Sequence, residues 1–419
     1  MNSTISIAIL HSGFEDASII RKRIKNEIEY FSSSDNFQSE IIFINSDDQC
    51  THYLTNNKNF NATILLIASG GTEGYAKRII ESKDHPFLIL GNSKNNSLAA
   101  SLEIAAYFRQ NKLLKIFYYQ NMAEFKNEIE KYFLINNAIY KINNSSFGIV
   151  GEPSDWLLTS KEIESCGNFK TKLIKIDIDS VNNKVVKIPS TITTSKIENN
   201  YQHKCVCHSE IDNSLKVYDA LKDITLTKKV DAITVRCFDL LKHKYTACMA
   251  LSMLNDENIV SSCEGDIFAL FTMFVANKLT NQPVWMANPS SIDKQKNTLT
   301  LAHCTVPSKM LSSFDESKLT THMESGLSVA IEGPLKKEDV TILRIGGNFD
   351  KILFSTGKII DTDMKNPDLC RTQVQVKLNV NAQDWVNNSL GNHQILVYGD
   401  ITEILTDFCN YTNIEIVDL

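Results

Sequence analysis

The residue types able to do chemistry concentrate in one stretch, SCEGDIFALFTMFVANKLTNQPVWMANPSSIDKQKNTLTLAHCTVP, residues 262–307. Glu264 and Asp266 stand two apart at the start of an apolar run that reads as a helix to Leu279. Asn288-Pro289 reads as a turn after a short apolar run, and His303 lies on an alternating segment. Carboxylate, amide and imidazole groups gathered from a loop, a helix end and a strand are donors for a hard divalent cation. Oxygen ligands with one or two imidazoles suit Mn²⁺ or Mg²⁺ better than a metal that prefers thiolates. Each residue also has an ordinary use: carboxylates in a first helical turn are favoured by the helix dipole, Asn-Pro is a common turn, and His303 and His393 can be core histidines. Their convergence at element ends carries the chemical reading.

Other signals are weaker. His203-Lys204-Cys205-Val206-Cys207-His208 puts four donors into six residues, too close to complete a tetrahedron, and lacks the second ligand pair of a structural zinc site. Ser69-Gly70-Gly71-Thr72 opens a helix and could hold an anion, but it is equally ordinary turn chemistry. No GxGxxG is present, so a dinucleotide is not supported. Arg236 at a strand end, His322 and Glu324 in THMESG, and Arg371 in CRTQV stand where substrate hydroxyls or an anionic substituent could be held. Either arginine serves equally well in a structural ion pair.

The elements that must position these groups fall into three patterns. Residues 1–144 alternate short apolar strands (Ile5 to Leu10, Glu40 to Asn45, Ala62 to Ala68, Pro86 to Leu90) with helical stretches, which implies a parallel sheet covered on both faces. Residues 145–290 repeat the pattern with strands at Phe147 to Val150, Lys172 to Ile178 and Asp231 to Arg236. Between the last two, residues 185–213 read as a long polar stretch without periodicity, as functional loops often do. From 291 to 419, alternating segments with Gly-rich turns imply an antiparallel sheet or small barrel, ended by a helix and a last strand. The expected fold is therefore α/β: two Rossmann-like doubly wound domains followed by a β-rich domain.

Length and charge bound the possibilities. A chain of 419 residues exceeds one ordinary core. Lys+Arg 43 against Asp+Glu 49 leaves −6, no footprint for nucleic acid or an anionic membrane. The expected partner is a small molecule or another copy of the chain. The ten cysteines sit mostly in apolar segments and the start lacks a signal core, so a reduced, cytoplasmic protein is expected.

Around these residues the chain resembles the L-fucose and L-arabinose isomerase superfamily of aldose–ketose isomerases. The likeness rests on CEGD, the apolar helix to LTNQPVWMANP, LTLAHCTVP, RIGG and GNHQILVYGD. NNSLAASLEIAAYFRQ, GEPSDWLLTS and AITVRCFDLL extend it over nearly the whole chain, and it is greatest toward the shorter fucose-isomerase-like proteins. The resemblance implies a site between the second and third domains, completed by a neighbouring subunit in a homo-oligomer. It implies a Mn²⁺ cofactor, or another divalent cation such as Mg²⁺ or Co²⁺, and a fucose-type, arabinose-type or sulfonated sugar interconverted through an ene-diol.

By the same resemblance Glu264 is the first metal-binding glutamate and moves the proton. Asn288 stands where the family has a second acidic residue, His303 matches a metal histidine, and His393 matches a C-terminal histidine pair whose other member here is Gln394. An amide can ligate through oxygen but cannot accept and return a proton at neutral pH. Asp266 or Asp293 would then act as the second group, or Glu264 would act alone. The alternative is a sugar-binding or regulatory protein whose isomerase activity is weakened or lost.

Overall fold

The computed structural model describes the chain except residues 1, 2, 15, 34–40, 57, 58, 188 and 202, and the side chains of His203 and Lys204. It divides into two compact units, residues 1–141 with 406–413 and residues 142–405 with 414–419.

In the first unit β1 (Ile5–Leu10), β2 (Ile41–Ile44), β3 (Ala62–Ile67), β4 (Phe87–Gly91) and β5 (Leu114–Tyr118) form a parallel sheet in the order β2-β1-β3-β4-β5. β1, β3 and β4 are buried throughout, as continuous apolar runs require in a sheet covered on both faces. Glu40, expected to open the second strand, lies outside the described residues. β5, LKIFY, has no counterpart in the sequence reading, because its alternating Lys blurs the apolar run.

The second unit begins with β6 (Ser146–Val150), β7 (Lys172–Ile176), the two-residue β8 (His203–Lys204), β9 (Ala232–Val235) and β10 (Val260–Cys263). Of these, four make a parallel sheet in the order β10-β9-β6-β7. The segment expected to be an irregular loop at 185–213 is more regular than its composition implies. It holds a helix, Thr194–Asn200, then β8 and the start of a long helix, His208–Lys228. A few apolar residues, Ile197, Tyr201, Ile211 and Leu215, enter the core and order it.

The rest of this unit is β-rich and built mainly around a barrel. Its strands are β11 (Trp285–Asp293), β12 (Thr298–His303), β13 (Lys318–Thr320), β14 (Ala330–Glu332), β15 (Asp339–Gly346), β16 (Lys351–Thr362), β17 (Thr372–Leu378), β18 (Gln394–Tyr398) and β19 (Glu415–Ile416). Six run in the order β15-β18-β11-β12-β17-β16, and β15 pairs again with β16, so the antiparallel sheet closes. β13 and β14 join β8 in a small separate sheet. Leu299 and Leu301 of β12, Val374 and Val376 of β17, Ile342 of β15 and Leu396 of β18 share one buried core with Trp285. Closure turns on two irregularities. The register of β11 against β12 shifts between Pro289 and Ser291, and that of β16 against β17 between Ile359 and Asp361; β11 pairs β18 up to Ala287 and β12 from Asn288, while β16 pairs β15 up to Lys358 and β17 from Gly357. Asn288-Pro289 is therefore not the expected turn; it lies within β11, and proline is tolerated there because the shift removes a ladder bond. β11 also runs across residue 290, where the second expected boundary falls.

The Ile267–Thr280 helix, IFALFTMFVANKLT, is buried on nearly every face, the mark of a helix enclosed in protein. Phe271 meets Phe169 at 4.9 Å and Phe349 at 5.0 Å between ring centroids, and the Thr272 hydroxyl accepts from the Ile345 amide of β15 at 3.0 Å. The helix thus ties the parallel sheet to the barrel. No helix among the described residues is long and apolar enough to cross a membrane. Truncating Phe271 to Ala should destabilise this unit by about 3–5 kcal/mol, the usual cost of emptying a buried phenyl site. A shift in urea midpoint worth less than 1 kcal/mol would show that the helix is not the tie described.

Candidate metal centre

The parallel sheet presents its carboxyl ends to the site, where α/β sheets usually build sites. β6 leads into Gly151-Glu152-Pro153-Ser154-Asp155-Trp156, β9 into Arg236, and β10 into Glu264. Glu264 is not in the helix's first turn, as expected, but on a tight turn before it, with φ +61° followed by Gly265 at +70°. A Cβ on Gly265 would lie 2.8 Å from both the Glu152 carbonyl oxygen and Pro153 Cα, so this position needs glycine both for its φ and for its space. The turn is pinned by the Ser154 amide, which donates to the Glu264 carbonyl at 2.9 Å. It aims the Glu264 side chain away from the helix.

Glu264, His303 and His393 are buried, and each offers a ligand atom within 4.8 Å of the others. His303 ends β12, and its Nδ1 is 2.8 Å from Thr305 Oγ1, which leaves Nε2 for the shared point. His393 immediately precedes β18. Its Nδ1 is 2.8 Å from Asp266 Oδ2, and its Nε2 is buried, without a hydrogen-bond partner among the described residues, 3.6 Å from Glu264 Oε2. The Trp156 indole N–H donates to Glu264 Oε2 at 2.6 Å. One carboxylate and two imidazoles, each imidazole fixed through its other nitrogen, could hold a metal ion, and the unpartnered Nε2 of His393 fits that use.

Asp266 caps the Ile267–Thr280 helix by accepting from the Ala269 amide at 2.9 Å. Its carboxylate also accepts from both terminal nitrogens of Arg344, at 2.9 and 3.2 Å, and from the Ser160 hydroxyl at 3.2 Å. Arg344 and Asp266 are 1% and 0% exposed. Arg344 further donates to the His393 carbonyl at 3.1 Å, so the ion pair holds both the ring and the backbone of that histidine.

Charge follows geometry. Burial pushes Asp266 up, but the Arg344 charge and the bond from His393 outweigh it and hold the acid well below its usual range. Burial also opposes ionisation of Glu264, yet His393, His303 and the Trp156 N–H keep its carboxyl below its ordinary value. Burial, aided by the charge of His393, drives His303 down to about 3. His393 moves up: burial works against its cation, but Asp266 and Glu264 favour it more.

The remaining residues singled out in the sequence take different places. Asn288 donates through Nδ2 to Asn392 Oδ1 at 3.3 Å, one residue before His393. Gln394 turns away to the Gly391 carbonyl at 3.0 Å. Asp293 accepts from the Gln295 and Lys296 amides in the hairpin at the far end of β11. Arg236 is committed to Asp155 at 3.1 Å, Asp239 at 3.2 Å and the Pro153 carbonyl. His322 is buried with Nδ1 at 3.0 Å from Ser325 Oγ, and its ring stands edge-on to Phe238, which in turn meets Trp156. Glu324 is exposed on the same loop. Arg371 holds Thr321 through its carbonyl and hydroxyl. Cys205 and Cys207 are exposed, and the His203 side chain lies outside the described residues.

Trp156, Arg344 and Thr305 were missed as functional residues. Arg344 had a legible signal, a charge in the apolar run that follows Asp339 in the strand DVTILRIG. Trp156 follows the carboxyl end of a parallel strand. Nothing local marks Thr305.

The fold and centre define an α/β unit joined to a closed barrel, with a buried carboxylate and two histidines at their meeting point. No protein-family model matches the chain. It is similar to the sulfoquinovose isomerase of Clostridium sp. (strain MSTE9), 27% identical over 49% of this chain and 47% of that one. It is also similar to the sulfoquinovose isomerases of Priestia aryabhattai, 24% identical over 67% of this chain and 66% of that one, and of Alkalicoccus urumqiensis, 19% identical over 78% and 77%. The matched parts thus span about half to three quarters of those relatives.

Removing the Arg344 charge by Arg344→Met should cost about 3–5 kcal/mol, because Asp266 is left buried without its counter-charge. Asp266→Leu combined with Arg344→Met should cost clearly less than the sum of the two single changes, as unfolding curves will report. In metal-free protein the pH effect has a definite sign. His303 has a lowered value, so the unfolded chain takes up its proton first, and stability is lost as pH falls from 6.5 toward about 3. His393 is raised and works oppositely, its contribution being present below 6.5 and lost as pH rises through its folded value. Replacing His303 with Gln should flatten the acid side of the stability profile; an unchanged profile would contradict this burial effect.

Proposed function

We propose that the chain is an aldose–ketose isomerase acting on a sulfonated hexose such as sulfoquinovose. The observation that carries this reading is the buried juxtaposition of Glu264 with His303 and His393, each held by a second group. The similarity to sulfoquinovose isomerases supports the substrate class. Glu264, His303 and His393 would hold a divalent cation, Mn²⁺ or Mg²⁺ or Co²⁺, with Asn288 Oδ1, which accepts no hydrogen bond among the described residues, as a further donor. Such a cation supplies Lewis-acid polarisation of the sugar's carbonyl and neighbouring hydroxyl.

The proton moves from C2 of the open aldose to C1 through an ene-diol, and Glu264 carries it. Its lowered pKa keeps it an anion at neutral pH, ready to accept. The Trp156 N–H holds one oxygen and leaves the other to face the sugar. Asp266 fits an orienting role better than a proton-transfer role, because both its oxygens are engaged and it is out of contact with solvent. Asp293 stands in the far hairpin, so the reading uses Glu264 as the single shuttling carboxylate. Arg236, already paired twice, is assigned to structure; His322, Glu324 and Arg371 are assigned to the substrate side.

Purified protein given Mn²⁺ and sulfoquinovose should form the corresponding 2-ketose, followed by proton NMR with deuterium entering at C1 or C2. Glu264→Gln should lower turnover by about 10²–10⁴-fold, the usual worth of a positioned acid–base group, and His393→Ala should abolish Mn²⁺ binding in a titration. Asn288→Asp tests the departure at this position. It should change Mn²⁺ affinity without a large rise in turnover; a large rise would favour a sugar-binding or regulatory protein instead.

A further inference from the structure

The cations of this unit differ in what they are paired with. Arg344 is spent on Asp266, and Arg236 on Asp155 and Asp239. Lys318 is paired with Glu332 at 2.7 Å, and Lys309 reaches the Asp256 carbonyl at 2.6 Å. Arg371 has only neutral partners: Nε donates to the Thr321 carbonyl at 2.8 Å and Nη2 to the Thr321 hydroxyl at 3.0 Å. Among the described residues it has no carboxylate in ion-pair reach, and Nη1 has no protein partner. A half-buried guanidinium without a counter-charge loses hydration that nothing in the protein restores, an arrangement that favours an arriving anion.

Its place in the fold is informative. Thr372, the next residue, is the register partner of His303 across β12 and β17, so Arg371 emerges at the same end of the barrel as the centre. Its two bonds to Thr321 hold the residue before His322, whose ring continues the wall from Trp156 through Phe238. The field of the guanidinium is felt locally. Burial and then the Arg371 charge lower His322, while Glu264 pulls it the other way, so His322 stands within electrostatic reach of both.

We propose that Arg371 is the specificity residue of this site, its unpaired guanidinium binding the sulfonate at C6 of the open-chain sugar while C1 and C2 lie at Glu264. This rests on the isomerase reading above. The chemistry suits it: a sulfonate is a permanent anion with three oxygens, matched by the fork of a guanidinium. Glu264 repels that anion, so it belongs at the opposite end of the sugar from the reacting carbons. Replacing the sulfonate by a hydroxyl leaves the same carbon chain and leaves Arg371 uncompensated, which disfavours the neutral sugar.

The test measures kcat/KM for sulfoquinovose, with D-glucose as the neutral comparator, either as substrate or as competitor, in Mn²⁺-loaded wild type, Arg371→Met and Arg371→Lys. Arg371→Met should lose about 10–100-fold on sulfoquinovose, the worth of a hydrogen-bonded charge, carried in KM, while glucose, no longer set against an uncompensated cation, binds more tightly, so the preference for the sulfonated sugar collapses. Arg371→Lys should recover part of the loss, because it restores the charge without the fork. If Arg371 merely props the Thr321–His322 segment, both sugars weaken together and Lys rescues nothing, which overturns the inference while the isomerase reading stands. Wild type inactive on both sugars overturns both.

Discussion

The buried pairing of Asp266 with Arg344 is the constraint on which the site depends. Asp266 belongs to the turn after β10 and starts the Ile267–Thr280 helix; Arg344 belongs to the barrel. Their two hydrogen bonds join elements 78 residues apart in sequence. Neither charge reaches water, so each is tolerable only while the other is present. His393 completes the arrangement by giving its Nδ1 to the same carboxylate and its carbonyl to the same guanidinium. One ion pair therefore fixes the helix start, the barrel strand and the ring of the buried histidine together.

Around that pairing the centre is organised in two shells. Glu264, His303 and His393 converge, and Trp156, Thr305 and Asp266 hold them. The outer contacts are what make the inner ones useful, because an imidazole free to turn about χ2 would not keep Nε2 aimed at a common point. The strained Glu264-Gly265 turn serves the same end. Backbone at φ +61° and +70° persists because the Ser154 amide and the close Glu152-Pro153 backbone over-determine it.

The neighbouring thiols belong to the packing. Cys263 and Cys237 lie 2.8 Å apart beside the turn, and Cys248 and Cys304 pack with Ala330. Burial keeps the Cys248 thiol far above its usual value, a small apolar group rather than a nucleophile.

Sequence alone determined the parts set by local pattern. Continuous apolar runs announced β1, β3, β4, β6 and β9, and alternation announced the barrel strands β12, β15, β16, β17 and β18, because strand periodicity is written in adjacent residues. Residue types marked Glu264, His303 and His393, whose donor chemistry does not depend on neighbours. What tertiary structure alone decided lies in contacts between distant segments. Whether the β-rich part closed into a barrel depended on β15 pairing β16 as well as β18. Asn288-Pro289 became strand rather than turn because β12 and β18 both claim β11, and residues 194–200 became helical because Ile197 and Tyr201 found a core. Asp266 and Glu264, two residues apart and alike in composition, parted company for the same reason. One found Arg344 and was sealed into an ion pair, while the other was turned by Gly265 toward two histidines.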